Sequence, residues 1–192
     1  MIIFLGLGNN DKQYLDTKHN AGRLLLEALA AKWGQKFEKQ KNFFWTNSGK
    51  TIENDRLILL YSAGFMNNSG EILASFLSYY KPDLANLLVV VFHDDSDQFE
   101  NKQKLVVGGG SGGHNGIGSI YQHFPEAKTT LWRVKIGVRP ELNRLKSGTF
   151  VLQKMSPNEK ERITDLAGII DQNLDLFTQN YFGKLQTLLN SF

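Results

Sequence analysis

Residues 1–33, MIIFLGLGNNDKQYLDTKHNAGRLLLEALAAKW, contain an apolar run, a polar connection and an amphipathic segment in that order. The run from Ile2 to Leu7 is rich in β-forming residues, which predicts a strand. From Asn20 to Trp33 the apolar residues recur at helical spacing, which predicts a helix with one buried face. A strand followed by a helix indicates an α/β layer fold, with His19 near the start of the helix.

The rest of the chain continues this alternation of short apolar runs and helical periods. Further strands are predicted at Phe43 to Ser48, Leu57 to Ser62, Leu87 to Phe92, Lys104 to Val107 and Leu131 to Val138, and further helices at about residues 69–80, 115–123, 158–165 and 173–189. A chain of 192 residues can bury one substantial core, so we expect a single domain over residues 1–192. Function is expected in the long connections at residues 9–18, 94–103 and 139–148.

Composition excludes several classes of site. The chain has no cysteine, which removes disulfides, thiol nucleophiles and thiolate metal sites. Its longest apolar run, Leu87 to Phe92, is far shorter than the roughly 18 residues of a membrane helix. No basic segment precedes the first apolar run, as it would in a signal peptide. We therefore expect a cytoplasmic protein without a membrane segment.

Charge is unevenly distributed along the chain. The net charge is +3, but residues 128–154 hold seven Lys or Arg against the single acid Glu141, whereas residues 94–100 hold four acids and no basic residue. Such segments often form solvated faces. A polyanion attracted to the basic segment is the alternative.

The polar connection after the first strand begins GLGN, as does the dinucleotide fingerprint GxGxxG. Asp11 stands where the third glycine would permit close helix packing, and the helix begins about eight residues late. Nucleotide binding is therefore not favoured. The connection instead offers Asn9, Tyr14, His19 and Asn20 at the carboxyl end of a strand, where open α/β sheets bind ligands.

The segment HDDSD, residues 93–97, follows the most apolar strand. Asp94 could accept a hydrogen bond from an imidazole N–H and stabilise the imidazolium, as the acid of a catalytic triad does. A solvated acidic loop is one alternative. A divalent-metal site formed by His93, Asp94, Asp95 and Asp97 is another, although no HExxH or comparable ligand spacing supports it.

Two further motifs connect a strand to a helix: GFMNNSG at residues 64–70 and GGGSGGHNG at residues 108–116. The six glycines of the second permit close backbone approach, and its amides could hold a developing oxyanion. A flexible surface loop is the alternative. The motif lacks the Lys-Ser/Thr pair of a P-loop and carries His114 and Asn115 instead. Asn67 in the first motif is either a capping residue or part of a site.

Together the four motifs supply one base, one acid and three amides, namely His19, Asp94, Asn9, Asn67 and Asn115. This set suits hydrolysis by an activated water, with the amides orienting a carbonyl and no covalent nucleophile required. In order and spacing the motifs resemble those of bacterial peptidyl-tRNA hydrolases, whose pattern is close to GLGNPG, Y, TRHN-G, FMN-SG, HDELD and GGGHGGHNG. The resemblance runs from Met1 to about Lys154. The segment GTFVLQKMSPNE, residues 148–159, also resembles the family's run into its C-terminal helices.

The resemblance implies one α/β domain, with a central mixed, twisted β-sheet flanked by helices, that hydrolyses the ester between a peptide and the 3′-terminal ribose of tRNA. It implies no metal or organic cofactor. We expect a monomer whose partner is peptidyl-tRNA. His19 would be the proton acceptor, Asp94 its stabilising partner, and Asn9 would help to distinguish blocked amino groups from free ones. The cleft would be lined by Tyr14, Phe65, Met66, Asn67, His114 and Asn115.

Several positions depart from the family pattern. Asn10 and Asp11 replace its Pro-Gly, so the loop loses a fixed φ and a permissive glycine. On the side expected to face tRNA, Val106 aligns with a family lysine. A phosphate contact needs positive charge within reach more than one fixed side chain. The expected phosphate contacts are Lys104, Arg133 and Lys135, the last of which aligns with a family arginine.

The sequence leaves two other functions open. One is an RNA-binding protein on the same scaffold that does not depend on hydrolysis, which the basic segment at residues 128–154 would suit. The other is a metal-dependent hydrolase of a small ester or phosphate, with the acidic segment as its site. Retention of His19, Asp94 and the three asparagines favours the esterase over the first, and metal removal would separate it from the second.

Overall fold

A computed structural model of the chain describes residues 1–140 and 147–191, and only the backbone of Ser147. The strands of this described part form one sheet in the order β2-β3-β4-β1-β5-β7-β6. They are β1 Ile2–Gly6, β2 Glu38–Gln40, β3 Phe43–Ile52, β4 Asp55–Ser62, β5 Leu88–Phe99, β6 Gln103–Val107 and β7 Trp132–Arg139. The central strands β1, β4, β5 and β7 are parallel, whereas β3 and β6 are antiparallel to their neighbours. The sheet is therefore mixed, as predicted.

Helices cover both faces of the sheet. They are α1 Ala21–Lys32, α2 Ser69–Tyr80, α3 Asn115–His123, α4 Ala127–Thr130, α5 Ser147–Phe150, α6 Pro157–Gln172 and α7 Phe182–Asn190. Successive side chains of a strand point to opposite faces. Phe4 and Phe92 accordingly pack with α1, α6 and α7, whereas Leu5 and Val91 pack with α2 and α3 on the other face.

The structure differs from the sequence prediction at several elements. The segment HDDSD is not a connection, because β5 continues to Phe99 and pairs with β7 through His93, Asp94 and Asp95. The helix predicted at residues 173–189 is two 3₁₀ turns followed by α7, since Phe177 turns into the core between them. The edge strand β2 was missed because its residues are polar and lack apolar alternation. Most of the predicted functional connection at residues 139–148 lies outside the described residues.

The topology brings the motifs to one edge of the sheet. Gly6 of β1 pairs with Tyr61 of β4 and Phe92 of β5, so the segments that follow these parallel strands emerge side by side. The glycine-rich loop at residues 108–116 begins at the opposite end of the sheet, beside Leu131, because β6 runs antiparallel to β7. The loop then returns to the motif edge. No helix in the described ranges is long and apolar enough to cross a bilayer.

Candidate active site

His19 lies in the 3₁₀ turn Lys18–Asn20, immediately before α1. Its backbone N–H donates to the carbonyl of Val151 at 2.8 Å, and that of Lys18 donates to the carbonyl of Gln153 at 3.0 Å. Both acceptors belong to the segment that follows α5. His19 is therefore positioned by the C-terminal part of the chain as well as by its own helix.

Asp94 lies within β5 and is 3% exposed. Its two carboxylate oxygens lie 2.8 and 2.9 Å from Nδ1 of His19, and Oδ1 also lies 2.9 Å from Nε2 of His114. His114 caps α3, because its Nδ1 accepts the N–H of Gly116 at 3.2 Å. The proton of the neutral His114 ring is therefore on Nε2 and is donated to Asp94. The buried carboxylate of Asp94 thus accepts hydrogen bonds from two imidazole rings.

The charges of this cluster follow from burial and pairing. Burial disfavours a charged imidazole, but the attraction and hydrogen bond of Asp94 outweigh it and raise the pKa of His19 above its ordinary value of 6.5. Burial likewise opposes ionisation of Asp94, yet His19 and His114 hold the pKa of its carboxyl well below the ordinary 3.8. Asp94 is therefore an anion at neutral pH. A neutral His19 ring donates from Nδ1 and carries its lone pair on Nε2.

His93 supports the cluster from beneath. It is 2% exposed, and its Nδ1 lies 2.7 Å from the backbone oxygen of Asp94. Burial, reinforced by the nearby His114, lowers the pKa of His93 to about 3. Its ring packs edge-on against that of His114, with 4.8 Å between ring centroids. His93 is therefore an uncharged packing partner at neutral pH.

Side-chain hydrogen bonds hold the connection after β1. Asn20 is buried; its Oδ1 accepts the N–H of Asn9 at 2.7 Å and its Nδ2 donates to the carbonyl of Asn9 at 2.9 Å. Oδ1 of Asn9 accepts the N–H of Met66 at 2.7 Å. Asn10, at the family's proline position, accepts a hydrogen bond from Arg23 at 2.7 Å. The side chain of Asn20 makes these bonds instead of capping α1. At position 10, the hydrogen bond from Arg23 holds the loop where the family has a proline with a fixed φ.

A cavity of about 400 Å³ opens beside the His19–Asp94 pair. It joins the motifs at residues 9–19, 64–70, 93–97 and 108–116, which are far apart in the sequence. The predicted site residues that line it are Asn9, Tyr14, His19, Phe65, Asn67, Asp94, His114, Asn115, Arg133 and Lys135. Phe65 is 54% exposed and contributes an apolar side chain to the wall of the cavity.

Met66 does not line this cavity, contrary to the prediction. Its side chain is 1% exposed and packs in the core beneath Gly116, so only its backbone N–H contributes, through Asn9. Conversely, Val151 and Leu152 line the cavity and were not selected from the sequence. Both residues lie in the segment GTFVLQKMSPNE, residues 148–159, and its resemblance to the family could have indicated them.

The three predicted phosphate contacts occupy one face of neighbouring strands. Lys104 of β6 lies directly opposite Lys135 of β7 and is exposed, whereas Lys135 forms an ion pair with Asp95 at 2.5 Å. Arg133 differs from the expectation of a surface contact. It is 5% exposed. Its guanidinium donates to the carbonyl of Gly108 and, at 3.0 Å, to the carbonyl of Gly110. Its polar contacts are with the glycine-rich loop.

The metal set considered from the sequence is not assembled. Asp95 is engaged by Lys135 and by the side chain of Gln98. In the described ranges, the group whose ligand atoms come together is His19, Asp94 and His114, with one atom of each lying within 4.8 Å of the others. His114 presents a protonated Nε2 to the carboxylate, which makes it a hydrogen-bond donor in this arrangement rather than a ligand.

The fold and the cavity define a class of protein: a single-domain α/β protein with a buried aspartate that contacts a partly exposed histidine at the carboxyl edge of a mixed sheet. A family model described as peptidyl-tRNA hydrolase matches residues 3–192. Peptidyl-tRNA hydrolase from Rickettsia canadensis (strain McKiel) is 32% identical over 190 residues, covering 99% of this chain and 98% of the relative. That from Brevibacillus brevis is 34% identical over 194 residues, covering 100% and 98%.

The structural comparison agrees. A crystal structure of peptidyl-tRNA hydrolase from Acinetobacter baumannii is 26% identical, has a TM-score of 0.82, and the match covers 100% of this chain and 95% of that one. The chain therefore belongs to the peptidyl-tRNA hydrolase family and is a hydrolase. The predicted fold class and family are confirmed.

Proposed function

We propose that this chain hydrolyses the ester between a peptide, or an N-blocked amino acid, and the 3′-terminal ribose of tRNA, with His19 as general base. The observation that carries the mechanism is the contact of both Asp94 carboxylate oxygens with Nδ1 of His19, at 2.8 and 2.9 Å. This contact directs the opposite nitrogen, Nε2, to the proton transfer. We also propose that the enzyme acts as a monomer in the cytoplasm, where peptidyl-tRNA arises.

The reaction needs no covalent intermediate. Nε2 of His19 takes a proton from water as the water oxygen bonds to the ester carbonyl carbon, and Asp94 stabilises the resulting imidazolium. The amide side chains of Asn67 and Asn115, both exposed at the cavity, offer donors to the carbonyl oxygen as it becomes negative. Collapse of the tetrahedral intermediate breaks the bond to the ribose oxygen, which recovers the proton from His19.

Asn9 supplies a physical basis for preferring a blocked amino group. Its Oδ1 is taken by the N–H of Met66, so the group it offers to the cavity is the Nδ2 amide donor. A blocked amino acid carries an acyl carbonyl that accepts such a hydrogen bond. A free aminoacyl ester carries an ammonium group instead, which only donates.

Lys104 and Lys135 support a phosphate contact at the β6–β7 edge. They face each other directly across the strand pair, an arrangement that is unfavourable for like charges unless an anion lies between or beside them. Asp95 offsets the charge of Lys135 on one side, and the exposed Lys104 remains for the backbone of the RNA. The peptidyl end would then lie toward Phe65 and Leu152.

The direct test compares wild-type protein with His19→Ala on N-blocked and free aminoacyl-tRNA. Wild type should release the amino acid from the blocked substrate much faster than from the free one. His19→Ala should reduce kcat by about 10²- to 10⁴-fold while tRNA binding is retained. The matched control is His123→Ala, which removes an exposed histidine at the end of α3. Wild-type protein that leaves the blocked substrate intact, or a His19→Ala variant as fast as the control, would refute the mechanism.

A further inference from the structure

The carboxylate of Asp94 is shared between two histidines that differ in what else they contact. His19 Nδ1 and His114 Nε2 lie 2.8 and 2.9 Å from the same oxygen, Oδ1. Their ring centroids are 5.1 Å apart. Because Asp94 is 3% exposed, its charge is stabilised by hydrogen bonds from these two rings rather than by bulk water.

His114 is held as a permanent donor. Its Nδ1 accepts the N–H of Gly116 in the first turn of α3, and its own backbone N–H donates to the carbonyl of Ser111 at 3.1 Å. The ring proton is thereby confined to Nε2, which faces Asp94. His19, by contrast, contacts Asp94 through Nδ1 and lines the cavity. Of the two rings, His114 is the one whose tautomer the helix terminus fixes.

We propose that His114 is a positioning residue for the hydrolysis: by donating to Asp94 it withdraws part of the carboxylate's charge and so limits how strongly Asp94 retains a proton on His19. The proposal rests on the proposed function, in which His19 must be unprotonated to act. A base is most effective when its proton affinity matches the working pH. Asp94 alone would hold the His19 proton too tightly, and His114 moderates it.

The surrounding groups do not duplicate this role. The other charged or titratable groups that line the cavity are Tyr14 of the first connection, His93, Asp95 and Asp97 of β5, and Arg133 and Lys135 of β7. His93 contacts the backbone oxygen of Asp94, and Lys135 contacts Asp95. In the described part of the chain, the hydrogen bonds to the Asp94 carboxylate come from His19 and His114.

The test measures the titration of His19 directly, by following its ring C–H resonances by NMR in wild type, His114→Ala and His114→Gln. Loss of the donor in His114→Ala should move the His19 midpoint upward by about 0.5–1 pH unit. His114→Gln should remain nearer to wild type, because its amide can still donate to Asp94. The acidic limb of the kcat/KM profile should move in the same direction as the NMR midpoint.

A His19 midpoint in His114→Ala that is unchanged or lower would overturn the proposal. His114→Phe, which keeps ring volume without a donor, replaces the alanine variant if the latter does not fold. His123→Ala serves as the control and should leave the midpoint in place. The NMR titration does not depend on turnover, so a failure of the proposed function would appear as activity that is independent of His19, whatever the midpoint does.

Discussion

In the proposed mechanism, Asp94 orients the ring of His19 and stabilises its proton, and the substitution Asp94→Asn separates these effects from burial. Burial lowers the pKa of His19 and Asp94 raises it, so removing the carboxylate leaves burial unopposed and the pKa falls. A general base works unprotonated, and activity therefore rises with pH through this pKa. We expect the acidic limb of the kcat/KM profile to move to lower pH and the plateau to fall by about 10²-fold or more.

Asp97→Asn is the matched control for this prediction. Asp97 is an exposed acid on the same strand that also lines the cavity, so its substitution makes the same change in net charge without touching His19. Its acidic limb should stay close to that of wild type. If the limb moves equally in both variants, the shift reflects net charge rather than the contact between Asp94 and His19.

At the scale of single residues, the sequence predicts His19 and Asp94 as base and acid but not the contact of His114 with Asp94. His19 and Asp94 were selected as base and acid from their residue types and their positions next to predicted strands, and the structure brings them into contact. The role of His114 toward Asp94 was not predicted. It depends on which ring nitrogen carries the proton, and this is decided by the amide of Gly116 at the start of a helix.

At the scale of elements, the crossing of α2 and α3 depends on Gly70. A methyl group at this position would overlap the carbonyl oxygen of Ser119, and the N–H of Gly70 donates to the hydroxyl of the same serine at 3.0 Å. Gly70→Ala must therefore push the two helices apart. We expect the free energy of unfolding to fall by about 1–3 kcal/mol, as in other overpacked interiors, measured by urea denaturation.

Gly118→Ala gives the control on the partner helix. A methyl group at Gly118 would meet no atom within 4 Å, and alanine is favoured over glycine inside a helix by about 1 kcal/mol. This variant should be as stable as wild type or more so. Equal destabilisation of both variants would show that the effect does not come from the helix crossing.

Element boundaries were predicted least well where tertiary pairing overrides local pattern. The acidic run after Phe92 lacks apolar alternation, yet β5 continues through it because β7 provides hydrogen-bond partners and Lys135 pairs with Asp95. The predicted helix at residues 158–165 is too short, because α6 extends to Gln172. Ile163, Leu166 and Ile170 form an apolar face that packs into the core over this longer range.

At the scale of the whole molecule, the sheet has two edge strands, and we expect only one of these edges to contact tRNA. β6, with Lys104, forms one edge, and β2 forms the other. If the β6–β7 edge contacts the tRNA backbone, Lys104→Gln should reduce the slope of log K against log salt by about 1. Lys36→Gln, an exposed lysine just before β2, should leave the slope unchanged. Binding of uncharged tRNA at several salt concentrations provides the measurement, and equal slopes for the two variants would place the tRNA elsewhere.

Arg133 offers an internal comparison in the same experiment. It is buried and its guanidinium bonds to carbonyls of the glycine-rich loop. Arg133→Gln should therefore lower the free energy of unfolding and kcat, through the loop that carries His114, with little change in salt slope. A slope that falls as it does for Lys104→Gln would mean that Arg133 contacts phosphate after all.

The sequence by itself determined the α/β class, the pairing of His19 with Asp94 as candidates, and the resemblance to the family, because residue type, period and motif spacing are local properties. Only the tertiary structure decided that β5 runs through the acidic segment, that Met66 is buried while Leu152 lines the cavity, and that His114 shares Asp94 with His19. Each of these depends on hydrogen-bond partners and packing neighbours that are distant in sequence.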